Sequence, residues 1–294
     1  MSDSDITVAL SVDESLSWLE EYGPRGGVIL AGGTDLFVGW NRDIPKPQHI
    51  LYIGEIEELK KIECQEKDLA IGSLASMADI AGSTVVRGNA HALSEAAGAM
   101  GSPLIRERAT IGGNLCHASP AADAAAPLLV LGATLELRST AGTRRVPLEE
   151  FFKGPGETAR RDDELLTSIR IPIDQDRHDF YLRLGQRRSL ACVKVSVAGS
   201  IRADHTADFD SSRDVKIALG AVAPVPKLAR KAMALLEKET WTDAFLEKAA
   251  QAAMCECDPI DDVRSTAEYR RAMVGELLKS GLGLLRSETY VSSH

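Results

Sequence analysis

No stretch of this 294-residue chain approaches the roughly 18 consecutive apolar residues that a membrane-spanning helix needs, so a membrane span is not expected. A long basic run is missing as well. The 34 lysines and arginines are dispersed among 43 aspartates and glutamates, for a net charge of -9, and nothing in that pattern follows a phosphate backbone, so nucleic acid is not an expected partner. Five cysteines, an odd number without framework spacing, speak against a disulfide scaffold and for a reducing compartment. The opening residues, Met1-Ser2-Asp3-Ser4-Asp5, are acidic and polar and carry no visible export signal, which makes the cytoplasm the expected location. Internal repeats and low-complexity tracts are absent. So are the common nucleotide fingerprints: no G-x-G-x-x-G follows a strand-like run and no G-x-x-x-x-G-K-[ST] occurs, so an ordinary Rossmann or P-loop domain is not expected.

What the chain does have is two glycine pairs in similar company. Leu30-Ala31-Gly32-Gly33-Thr34-Asp35-Leu36 is one, and Ala109-Thr110-Ile111-Gly112-Gly113-Asn114-Leu115, continuing to Ser119-Pro120-Ala121-Ala122-Asp123, is the other. Paired glycines permit positive φ and remove side chains that would hold a ligand away, so bare amides can crowd around an anion. Two such loops suit a pyrophosphate gripped from both sides. Thr34, Asp35, Thr110 and Asn114 add short polar groups for phosphate, ribose or a ring edge. Asp35 would repel a phosphate, so a helix-capping role is expected for it. Either loop alone reads as a tight turn; the pair carries the argument.

Around the loops the apolar pattern alternates between short strands and short helices. Val28-Ile29-Leu30 is a buried strand running into the first loop, and His49 to Ile53 and Leu69 to Ile71 are further strands. Ser76 and Asp79 form a capping box, and a helix covers Ala90 to Ala97. Ala124 to Leu131 reads as a buried helix, Thr134 to Leu137 as a strand, and Leu165 to Ile171 as an edge or half-buried strand. Pro172 and Asp174-Gln175-Asp176-Arg177 mark a domain boundary. Beyond it come strands at Tyr181 to Leu184, Val193 to Ile201 and Val215 to Leu219. Helices follow near Arg230 to Glu237, Trp241 to Met254 and Ser265 to Leu285. Strands first and helices afterwards predict an α+β domain with a three-stranded sheet.

Taken together and in this order, the two loops resemble those of the FAD-binding medium subunits of the molybdenum hydroxylases, the group that includes xanthine dehydrogenase and aerobic carbon monoxide dehydrogenase. Ala31-Gly-Gly-Thr-Asp-Leu36 is similar to the family's first flavin motif. Ala109-Thr-Ile-Gly-Gly-Asn114 followed by Ala118-Ser-Pro-Ala-Ala-Asp123 is similar to the second. Gly220-Ala-Val-Ala-Pro-Val-Pro226 and Asp262-Val-Arg-Ser-Thr-Ala-Glu-Tyr-Arg-Arg271 resemble marker segments of its carboxy-terminal domain.

The resemblance implies a two-part FAD-binding domain of the PCMH or vanillyl-alcohol-oxidase type over residues 1–174, with parts at about 1–55 and 56–174. A smaller α+β domain over 178–288 follows. It implies pyrophosphate contacts by Leu30, Ala31, Gly32, Gly33, Thr34 and Leu36, with Asp35 at the loop's end. From the second loop it implies contacts by Ala109, Thr110, Gly112, Gly113 and Asn114. Asp123 is placed at the adenosine side, Leu166 against the flavin, and Arg183 where many relatives carry a lysine near the ring's carbonyl edge. Arg183 keeps the positive charge as a planar fork rather than a point. Leu104 and Glu107 stand where relatives commonly have glutamine and asparagine.

The function implied is an oxidoreductase subunit that takes electrons from two-iron two-sulfur clusters and passes them from FAD to an external acceptor such as NAD. Its implied partners are a molybdopterin-binding large subunit and a two-iron two-sulfur small subunit, in a dimer of heterotrimers. No general acid or base is assigned. Two alternatives are a self-contained FAD-dependent oxidoreductase of the same fold and a non-catalytic scaffold that has lost FAD.

Several single residues have bland readings beside the sharper ones. His117 either touches the cofactor or caps the turn that follows it. Cys255-Glu-Cys257 lacks two partner ligands at zinc-like spacing and ends an apparent helix, so a structural role is expected. Cys64, Cys116 and Cys192 are isolated, and no cysteine-rich insertion for a four-iron cluster is present, so no metal is expected on this chain. Asp258, Asp261 and Asp262 precede a helix that Ser265 and Glu268 would cap. Arg187-Arg188 reads as a solvated face in preference to an interface patch.

Overall fold

A computed structural model describes residues 4–40, 46–185, 192–202, 214–238 and 241–286. Met1 to Asp3, the Arg187-Arg188 pair and the expected domain end at 288 lie outside the described residues. The first part runs β1 (Asp5–Val8), α1 (Val12–Tyr22), β2 (Val28–Leu30), α2 (Leu36–Trp40) and β3 (His49–Tyr52). Its strands form a parallel sheet in the order β1-β3-β2. Ser11 caps α1 by accepting from the Glu14 amide. The helix buries Val12, Leu16 and Leu19, one stripe of a 3.6-residue period, against Leu51 and Ile53. β2 is an edge strand of this sheet, and the chain passes from Leu30 into the first glycine loop.

The second part contains β4 (Ile62–Gln65), β5 (Asp68–Gly72), α3 (Met77–Gly82), α4 (Thr84–Asn89), α5 (His91–Ala99), α6 (Pro103–Arg108), α7 (Ile111–His117) and α8 (Ala125–Val130). It continues with β6 (Thr134–Ser139), β7 (Gly142–Pro147), α9 (Leu148–Phe151), β8 (Phe152–Gly154), β9 (Glu157–Thr158) and β10 (Leu165–Pro172). Its main sheet is antiparallel, in the order β4-β5-β10-β6-β7. The core beneath the helices is rich in alanine, with Ala92, Ala96, Ala125 and Ala126 all buried, so short helices pack closely. The Ser76–Asp79 capping box is formed in both directions.

β10 corrects one expectation. Its alternation suggests an edge or half-buried strand, yet it is the central strand, paired on both sides. Its polar positions face a charged but occupied surface: Arg170 pairs with Glu136 at 3.2 Å and donates to Gln65 at 3.2 Å. Alternation here reports a polar face of the sheet, not its edge.

The third part runs β11 (Arg177–Gly185), β12 (Val193–Arg202), β13 (Asp214–Gly220), β14 (Lys227–Leu228), α10 (Arg230–Leu236), α11 (Asp243–Cys255) and α12 (Ala267–Arg286). The sheet is antiparallel with four strands, not three, in the order β11-β12-β13-β14. The added strand has two residues and follows Ala223-Pro224-Val225-Pro226, too short and too proline-rich to read as a strand. Phe180, Val195, Val197, Ile217 and Leu219 meet Trp241, Leu278 and Leu282 in one core. At the start of α12 the capping hydroxyl belongs to Thr266, which accepts from the Tyr269 amide. The neighbouring Ser265 is instead bridged to Asp262.

One strand of this third part grips a helix of the second. The residue before α5, Ala90, has no side chain to cap it, and Asp179 of β11 does so instead, accepting from the Ala92 amide at 2.6 Å. At the other end of α5, Arg183 of β11 donates to the Ala99 carbonyl at 2.6 Å. The acid meets the positive end of the helix and the base its negative end. Burial pushes the Asp179 carboxyl up to about 6, against the pull of the Ala92 amide and Arg177.

Candidate functional site

Leu30 closes β2 by accepting from the Ile53 amide at 3.0 Å, and Ala31 packs against the first core. The chain then passes Gly33 with φ +73°, a left-handed turn open to glycine, and Leu36 begins α2. Among the described residues the amides of Gly32, Gly33, Thr34 and Asp35 have no acceptor. A Cβ on Gly32 would fall 1.8 Å from the Arg108 carbonyl oxygen, and one on Gly33 would fall 2.5 Å from the Phe37 ring. Gly32 therefore lets the first loop lie directly on the backbone that leads into the second.

The second loop is built differently. Thr110 is the N-cap of α7 and accepts from the Gly113 amide at 3.1 Å. The Ile111 amide donates to Ala75, that of Gly112 to Ser73 at 2.8 Å, and that of Asn114 to Thr110. Ala109 is buried and its carbonyl accepts from Met77 at 2.9 Å. Gly112 is sealed in, since a Cβ there would lie 2.7 Å from the Ser73 carbonyl oxygen; at Gly113 it would meet only Thr110 Oγ1, at 3.0 Å. Under Gly112 the Ser73 hydroxyl is buried without a partner among the described residues. The Asn114 side chain turns back to accept from the Ala124 amide at 3.4 Å, next to Asp123.

The two loops are joined across their exposed rims by His117 Nδ1 and Asp35 Oδ2, 3.0 Å apart. This corrects the capping role expected of Asp35: no amide of α2 donates to its carboxylate, and its partner comes from α7. His117 likewise leaves the turn after α7 to Ala118, which takes the left-handed C-cap position.

Asp123 is buried. Its Oδ1 accepts from the Tyr181 hydroxyl at 3.0 Å and pairs with Arg183 at 3.1 Å. Burial raises the Asp123 carboxyl, and Arg183 and Tyr181 oppose that shift. Tyr181 itself is held well above the ordinary tyrosine range by burial and the Asp123 charge. Leu166 packs in the same core cluster as Ala109, Ala122 and Tyr181, just before an irregularity in the β10 ladder. Leu104 and Glu107 are exposed on α6.

Two expectations collide here. Asp123 is expected at the adenosine side and Arg183 at the ring, opposite ends of an extended dinucleotide, yet they touch. Tyr181 was not singled out from sequence. The signal was present, because Tyr181 and Arg183 are two apart on a strand and share a face.

A run of unpartnered amides around a left-handed glycine, opposite a second glycine whose face is open, fits a phosphate-containing cofactor. Residues 2–174 match the family described as the FAD binding domain in molybdopterin dehydrogenase. The chain belongs to that family. Residues 180–284 match the CO dehydrogenase flavoprotein C-terminal domain. The chain is similar to the carbon monoxide dehydrogenase medium chain of Hydrogenophaga pseudoflava, 29% identical over 92% of this chain and 93% of that one. It is also similar to the nicotinate dehydrogenase FAD-subunit of Eubacterium barkeri, 34% identical over 69% of this chain and 70% of that one. A solved structure of carbon monoxide dehydrogenase from Hydrogenophaga pseudoflava superposes with a TM-score of 0.90 at 29% identity, covering 95% of this chain and 96% of that one. As a flavoprotein subunit of the molybdenum hydroxylase type, the chain is part of an oxidoreductase. No helix among the described residues is long and apolar enough to cross a membrane, and none of their histidines, cysteines, aspartates or glutamates gather in a metal-holding group of three.

Proposed function

We propose that this chain is the electron-transfer subunit of a cytoplasmic molybdenum hydroxylase, working with a molybdopterin-binding large subunit and a two-iron two-sulfur small subunit as a dimer of heterotrimers. The observation that carries the reading is the run of free amides from Gly32 to Asp35 laid against the second loop. FAD, when bound, supplies a redox centre between one-electron donors such as those clusters and a two-electron acceptor such as NAD.

Toward that cofactor the chain's own residues position and shield. The first-loop amides take the pyrophosphate, with Leu30, Ala31, Thr34 and Leu36 lining its path. Gly113 leaves room where a side chain would intrude, and Thr110, Ala109, Gly112 and Asn114 hold the second loop in shape. Asp123 and Arg183 serve one end together, and the ring is the better match. Its pyrimidine edge alternates carbonyls with an N–H, which an adjoining acceptor and cation complement. Leu166 packs behind that edge, and the His117–Asp35 pair closes the rim.

The test is a visible absorption spectrum of the protein purified gently from its native host with whatever accompanies it. Flavin bands overlaid with broad iron–sulfur absorption are expected. Flavin alone would favour a self-contained flavoenzyme, and a colourless protein would overturn the reading.

A further inference from the structure

Besides the Tyr181 and Arg183 side chains on Asp123, the third part of the chain meets the second flavin segment through a backbone bond. The Ala221 amide, just past β13, donates to the Pro120 carbonyl at 2.9 Å. Pro120 has no N–H, so its carbonyl is its only backbone hydrogen-bonding group, and that group is committed to Ala221. Three residues on stands Asp123.

Ala221 is itself held. Its carbonyl accepts from Arg270 of α12 at 3.3 Å, and the carbonyl of Val222 accepts from the Asp258 amide at 2.8 Å. Arg270 is 5% exposed and also donates to Asp262 Oδ1 at 2.5 Å. That carboxylate is locked by the Arg264 amide at 2.8 Å and the Ser265 amide at 3.2 Å. A continuous path of bonded groups therefore runs from Asp262 through Arg270 and Ala221 to Pro120.

Two costly features meet on this path. Ala221 has φ +62°, a left-handed conformation that a residue with a Cβ adopts only when its surroundings impose it. Arg270 Nε is buried without a partner among the described residues. A buried ion pair is weak evidence of stabilisation, since replacing both partners together by well-packed apolar side chains often serves stability as well or better. What an arginine adds here is direction: its fork joins a fixed carboxylate to one particular carbonyl.

We propose that Arg270 is a positioning residue for the FAD site, setting the Ala221 turn and through it the Pro120 segment that delivers Asp123. The inference rests on the FAD reading above. It gives the segment from Asp262 to Arg271, remote in sequence from both loops, a task at the cofactor.

The experiment compares the full chain with Arg270→Met, Arg270→Lys and Asp262→Asn. It measures the FAD dissociation constant by flavin fluorescence, the visible circular dichroism of the bound flavin, and the thermal midpoint of the FAD-free protein. For Arg270→Met we expect a dissociation constant raised roughly tenfold or more and an altered flavin dichroism, beyond what any fall in the midpoint of the FAD-free protein from loss of the Asp262 pair accounts for. Arg270→Lys should recover part of the affinity. Asp262→Asn, which leaves the arginine in place but loosens its anchor, should weaken binding several-fold and carries the test should Arg270→Met fail to fold. A folded variant set with parental affinity and dichroism overturns the inference. So does an affinity loss that merely tracks a fall in midpoint. A parent chain that binds no FAD overturns the FAD reading itself, a separate outcome.

Discussion

The loop after β2 leaves the amides of Gly32 to Asp35 without acceptors among the described residues, whereas the loop entering α7 satisfies those of Ile111, Gly112, Gly113 and Asn114 within the chain. Nearly the same residues thus do opposite things. The first loop is a set of donors held in readiness, and the second is a braced wall. Within each pair the first glycine is demanded by protein packing, Gly32 on Arg108 and Gly112 on Ser73. The second is demanded by backbone conformation at Gly33 and by open space at Gly113. A glycine pair is therefore not one signal but two.

Ranked by their effect on stability, four changes break or sharpen this contrast. Gly32→Ala drives a Cβ into the Arg108 carbonyl, forcing the loops apart; a loss of about 3 kcal/mol or more is expected, with flavin absent from the purified protein, read by thermal melting and absorbance. Arg183→Ala leaves Asp123 buried beside Tyr181 without its cation. About 3 kcal/mol should be lost, and any flavin retained should show a lower reduction potential, since the proposed placement of Arg183 puts the lost positive charge near the ring. An unchanged potential would detach Arg183 from the ring.

The third change is one of pH. Asp179 titrates in the fold at about 6, above its ordinary 3.8, so between those values the folded protein holds a proton that the unfolded chain has released. Stability should therefore fall as pH rises through that window and level off above it, each pKa unit being worth about 1.4 kcal/mol. Asp179→Asn should flatten the slope in denaturant titrations. Gly113→Val is expected to be mildest for the fold, within about 1 kcal/mol, because a Cβ there meets only Thr110 Oγ1. Yet it should empty the protein of FAD. A Gly113→Val protein that keeps its flavin would end the distinction between the two loops.

What was legible in the sequence was local. The strand at Val28 to Leu30, the Ser76–Asp79 box and the buried helix after Asp123 follow from neighbours within a few residues, and all are found. What was not legible depends on partners far along the chain. Gly32 answers to Arg108, Asp35 to His117 and Asp123 to Arg183, and no local pattern announces such pairings. Asp35 is expected to cap a helix because its charge would repel a phosphate, and nothing nearby in sequence points to His117. The Thr266 cap was missed by a single residue, since Ser265 and Thr266 carry the same chemistry and only the Asp262 bridge separates them. The centrality of β10 was hidden because a sheet face lined by Arg170 and Glu136 has the same alternation as one open to water.

The grip of β11 on α5 also works as a ruler. Asp179 and Arg183 are four residues apart on a strand, about 13 Å at 3.3 Å per residue, and the nine residues of α5 span about 13 Å at 1.5 Å per residue. The strand thus gauges the helix and accepts only one length and one polarity. A helix one residue longer would overrun one of its two stops, and a reversed helix would set like charge against like at both.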